Sequence, residues 1–107
     1  MATQGMLSVT KNGKTVLKAV AGCDGYNVKD LVKSLSKEDC TNPNKVYGKA
    51  LDAGFGCHDC LVVLSADKIV HTSHDEVGGL YKETFEQPKF NPRWERGTVE
   101  HYSEVKL

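Results

Sequence analysis

Apolar and polar positions alternate along the start of the chain, with Leu7 and Val9 set against Ser8 and Thr10 before Asn12-Gly13, and a β-prone run, "TVLKAV", after it. Asn-Gly accepts positive φ at both centres of a type I′ turn, so the stretch reads as a β-hairpin. Pairing Lys11 with Lys14 sets Val9 opposite Val16 and Leu7 opposite Lys18. "AGCDGY" then ends the second strand with two glycines.

From residue 28 the period lengthens. Val28, Leu31, Val32 and Leu35 fall at i, i+3, i+4 and i+7 behind Asn27, a residue suited to N-capping, and predict an amphipathic helix. A second helix follows: Asn42 caps, Pro43 takes the first turn, Val46, Tyr47, Ala50 and Leu51 form the stripe, and Gly54 stops it. Gly48 weakens that helix by about 1 kcal/mol relative to alanine.

"CLVVLS" and "KIVHTS" flank Ala66-Asp67 as a second hairpin, whose symmetric register pairs Leu64 with Ile69, Val62 with His71, and Cys60 with Ser73. Val77, Leu80, Tyr81, Thr84 and Phe85 recur at helical spacing, with Gly78-Gly79 in the first turns, and predict a short or distorted helix. Pro88 and Pro92 interrupt regular structure. The segment "TVEHYSEVK" alternates as a half-buried strand does. The expected fold is a single α+β domain over residues 1–107. It has an antiparallel sheet of about five strands, from two β-hairpins and a C-terminal strand, with two or three helices packed on one face.

The composition fits that picture: 107 residues suffice for one core, and 39% hydrophobic with 26% charged residues is ordinary for a folded domain. Fourteen basic and fourteen acidic residues cancel, which argues against non-specific nucleic-acid binding. The balance hides an asymmetry, since residues 1–50 carry eight Lys against four acids and residues 51–107 carry six Lys/Arg against ten. The longest apolar run, Leu61 to Leu64, is far too short for a membrane span, and the opening residues lack a signal-peptide build, so a cytoplasmic protein is expected. Cysteines in that compartment are thiols or metal ligands.

The chemistry-bearing residues concentrate in "GCHDCLVVLSADKIVHTSH", Gly56 to His74. Cys57 and Cys60 have the bite for two thiolates on one zinc, and His71 with His74 could close a four-ligand site. The gap between the pairs departs from zinc-finger spacing, and His74 reaches the face of His71 only if the strand ends by about Ser73. As a redox pair, Cys57 and Cys60 precede a strand rather than a helix, so no helix dipole lowers a thiol pKa. Cys60, His71 and Asp75 lack the signature and the pocket of a nucleophilic triad. The simplest reading is interior scaffold, with Cys60, Val62, Leu64 and Ile69 on one face of a hairpin and Leu61, Val63 and Val70 on the other.

A binding candidate lies further on, where Phe90 and Trp94 interleave with Lys89, Arg93 and Arg96 in the manner of an interface hot spot. With no complete catalytic constellation and no cofactor signature, the sequence points to a small non-enzymatic protein that docks on a protein partner. Self-association is left open. The alternative is a zinc-stabilised or thiol-active domain centred on Cys57 and Cys60. The hairpin, helix, hairpin plan is similar in outline to some small phage proteins that block host defence enzymes by occupying a surface, which implies an inhibitor or accessory factor of viral or mobile-element kind. That is an analogy of architecture.

Overall fold

The computed structural model of the protein describes residues 3–56, 61–65, 69–74, 80–85 and 99–107. Six strands are described: β1 (Gly5–Lys11), β2 (Lys14–Ala21), β3 (Leu61–Ser65), β4 (Ile69–His74), β5 (Leu80–Phe85) and β6 (His101–Lys106). Two α-helices, α1 (Val28–Ser34) and α2 (Pro43–Asp52), lie between β2 and β3. The strands form one sheet in the order β5-β4-β3-β2-β1-β6.

The α+β class is the one expected, but the antiparallel sheet of about five strands is not. β6 runs parallel to β1, so the sheet is mixed, and it is already mixed in β3-β2-β1-β6, the four strands with side chains described throughout. Alternation reports a half-buried strand without its direction, so this pairing left no mark in the pattern. Leu80–Phe85, expected as a distorted helix, is strand β5, antiparallel to β4. A short apolar set fits both periods, and Tyr81, Thr84 and Phe85 are strand formers.

The first turn forms as its residues dictate, with Asn12 at φ 55° and Gly13 at φ 79°. Lys11 pairs with Lys14 as expected, and the register then shifts: Thr10 lies opposite Thr15 but Val9 opposite Leu17 and Leu7 opposite Ala19. Val16 is the extra residue of a β-bulge. Without it Lys18 would share a face with Leu7 and Val9. With it Leu17, Ala19 and Ala21 join them, and Lys18 moves to the other face opposite Ser8.

α2 forms as its sequence predicts. The Asn42 side chain accepts from the backbone N–H groups of Asn44 and Lys45, Pro43 sits in the first turn, and Gly54 follows at φ 77°. α1 is shorter than its stripe, because Leu35 is already extended. Asn27 makes no side-chain cap; its amide is used elsewhere.

The helices cover one face of the sheet. Val28 and Leu31 from α1 and Val46, Tyr47 and Ala50 from α2 pack with Leu7, Val9, Leu17, Ala19, Leu61, Val63 and Val70 in a single core that includes Phe55. Leu61, Val63 and Val70 share that face as expected. Part of the second face is buried as well: Met6, Ser8, Lys18, Val20 and Leu64 are buried, although none belongs to the helix-covered core.

Candidate functional site

The residues that the sequence singled out fall mostly outside the described set. Lys89, Phe90, Arg93, Trp94 and Arg96 lie outside it, as do Cys57 and Cys60. β4 contains positions 71 and 74, and the pairings Leu64 with Ile69 and Val62 with His71 are those expected. The side chains of His71 and His74 are outside the described set, so the Cys57, Cys60, His71, His74 alternative lies outside what the structure describes; the backbone of β4 continues through His74, which pairs with Leu80.

The described residues bring a different site together at the corner between β2 and α1. After Ala21 the chain passes through Cys23 and Asp24, whose φ of 59° is left-handed, and enters a short 3-10 turn, Gly25–Asn27. Gly25 is buried against the start of β1, its N–H donating to Thr3 O at 2.9 Å. A Cβ on Gly25 would run into the backbone of Gln4 and Gly5, and one on Gly5 would sit 2.6 Å from Gly25 Cα. Two backbones touch here, which only glycine permits.

The other side of the corner is tied to the end of α2. Asn27 Nδ2 donates to Gly54 O at 3.0 Å across 27 residues of sequence. Between these two anchors Tyr26 is turned outward. It is 57% exposed, the large hydrophobic side chain that stands in solvent among the described residues, and its hydroxyl donates to Asp24 Oδ1 at 3.2 Å. An aromatic group is thus displayed on a backbone with little freedom to move.

Beside the corner, Asp30 and Ser34 of α1 and Lys49, Asp52 and Ala53 at the end of α2 line an open groove of about 310 Å³. Lys49 fixes its far side: Nζ donates to Ser34 O at 2.7 Å and pairs with Asp39 Oδ2 at 2.9 Å. Asp39 and Ser36 exchange hydrogen bonds, Ser36 N–H to Oδ2 and Asp39 N–H to Ser36 Oγ, the reciprocal arrangement of a capping box. Lys49 and the Ser36 N–H hold the Asp39 carboxyl at about 2, below its usual 3.8.

The two described cysteines differ in exposure. Cys40 is 1% exposed, and burial with nearby Asp39 raises its pKa, which keeps it a thiol. Cys23 is half-buried. Among the described residues no group of three or more His, Cys, Asp or Glu side chains could hold a metal.

Sequence reasoning read "AGCDGY" only as a strand break. A signal was present in Asp24-Gly25-Tyr26, a glycine beside an aromatic residue between a strand and a helix, but its meaning depends on Gly5 and Gly54, which are distant in the chain. No protein-family model, curated protein or solved structure matches this chain.

Proposed function

We propose that the protein is a non-enzymatic binding protein that docks on a protein partner through the β2–α1 corner. Tyr26 is the anchor, and the Asp30, Ser34, Lys49, Asp52 groove is the adjoining surface. The observation that carries this reading is Tyr26 itself: a large aromatic held in solvent on a loop pinned at both ends. Such a residue loses little entropy on binding, and tyrosine is among the residue types enriched at interface hot spots. The opposite net charges of the two halves of the chain, +4 and −4, suit oriented encounter with a charged partner surface. The Lys89, Phe90, Arg93, Trp94, Arg96 segment is proposed as a second contact on its sequence alone.

The test begins with capture of a partner on the immobilised protein, followed by titration with the purified partner. Tyr26→Ala is expected to weaken binding by about 30-fold or more, as removal of a hot spot does, with the circular dichroism and melting of the protein unchanged. Arg93→Glu is the companion variant. If it abolishes binding while Tyr26→Ala leaves it intact, the corner assignment is wrong and the interface belongs to the later segment. Native mass spectrometry of the same untagged protein addresses zinc: one ion per chain, lost with Cys57→Ser, would replace this reading with the metal-stabilised one.

A further inference from the structure

Among the described residues β6 is the outermost strand on its side of the sheet, and its backbone polarity is fixed by its parallel pairing with β1. His101 N–H donates to Gln4 O at 3.2 Å and Leu107 N–H to Thr10 O at 2.7 Å. Residues of odd number therefore direct their N–H and C=O groups toward β1, and by alternation Glu104 and Lys106 direct theirs toward the outer edge. Both are exposed, with the Lys106 side chain 82% accessible. They stand on the same face of the strand and already attract each other, Lys106 Nζ lying 3.8 Å from Glu104 Oε2.

We infer that this edge pairs with a second copy of the same strand. The pairing is antiparallel, with Val105 opposite Val105 of the second copy on the twofold axis. In that register Glu104 faces Lys106 of the second copy and Lys106 faces its Glu104. The edge-directed residues of the two chains then fall opposite one another as hydrogen-bonded pairs, each exchanging both N–H···O=C bonds. Opposite charges meet at both positions, and Val105 meets Val105 in the closer, non-hydrogen-bonded type of site. Neighbouring registers are poorer. One centred on Glu104 sets two carboxylates face to face, and one centred on Ser103 needs Glu100, which lies in the bend before the strand, to answer Lys106. A self-complementary interface of this kind closes on itself as a twofold dimer rather than a filament.

Sedimentation equilibrium of the full chain reads the dimer directly, and cysteine cross-linking reads its register. A reversible monomer–dimer equilibrium is expected. Lys106→Glu should raise its dissociation constant at least ~10-fold, and the exchange Glu104→Lys with Lys106→Glu should bring it back to within ~3-fold, because the swapped strand is again complementary to itself. With an added oxidant, Val105→Cys should give a covalent dimer in excess of the parent chain, and Ser103→Cys should not. Circular dichroism of each variant separates loss of pairing from loss of fold. A monomer at all concentrations, a dimer indifferent to both charge changes, or cross-linking through position 103 in place of 105 would each overturn the inference.

Discussion

Gly25 is a residue whose replacement separates backbone contact from conformational freedom. No positive φ constrains it; the constraint is the strand it touches, since a Cβ would meet the backbone of Gln4 and Gly5 and neither can swing aside as a side chain can. Gly25→Ala should therefore destabilise the protein by about 1–3 kcal/mol, the usual penalty for overpacking. Gly48 is the contrast. It lies inside α2 with nothing within 4 Å of where a Cβ would be, so Gly48→Ala should stabilise by about 1 kcal/mol through helix propensity. Urea denaturation of the two variants measures both signs. Asp39 makes a third prediction at this scale. Its carboxyl is held at about 2 in the folded chain against 3.8 for the free group, so its contribution to stability is fully present above about pH 4 and fades as the pH falls toward 2. NMR titration should find its midpoint near 2, and Asp39→Asn should flatten the pH dependence of stability in that window. Most of these residue roles were hidden in the sequence. Gly48 was readable because a helix is local, whereas the contact of Gly25 joins segments that only the fold brings together.

The elements themselves differ in how far the chain announces them. α2 was legible from end to end, because its cap, its first-turn proline, its stripe and its stop are all local features. Asn42→Ala should cost about 1 kcal/mol, measured by the same denaturation, since it removes the acceptor for the N–H groups of Asn44 and Lys45. α1 was legible in its apolar face but not in its cap. Asn27 is the last residue of the 3-10 turn, with φ −81° and ψ 1° rather than the extended backbone of an N-cap, and its Nδ2 donates to Gly54 O, just past the end of α2. The first hairpin was right at its turn and one residue out beyond the bulge. What decides the register there is burial: the bulge at Val16 keeps Leu17, Ala19 and Ala21 in the helix-covered core and moves Lys18 off it. β5 was misread as helix and β6 was expected in an antiparallel sheet but runs parallel to β1, since a six-residue strand carries too few positions to separate one period from another or to name its neighbour.

For the molecule as a whole, the layer plan was legible and the order of the sheet was not. Two amphipathic helices between two pairs of strands require a sheet with a covered face, and Leu7, Val9, Leu61 and Val63 occupy it. That residues of the opposite face are buried too, Met6 at 2% and Leu64 at 0% exposure, is a property of the assembled chain that alternation does not report. The candidate site stands in the same position. It is built where the end of β2, the start of β1, the start of α1 and the end of α2 converge, and Tyr26 acquires its exposed, fixed placement from contacts made on both sides of it. Hydrogen–deuterium exchange of the protein with and without its captured partner puts this placement to the most direct test. Protection on binding should concentrate in residues 24–34 and 49–53, the corner and the groove beside it. Unchanged exchange there, with protection elsewhere in the chain, would contradict the account.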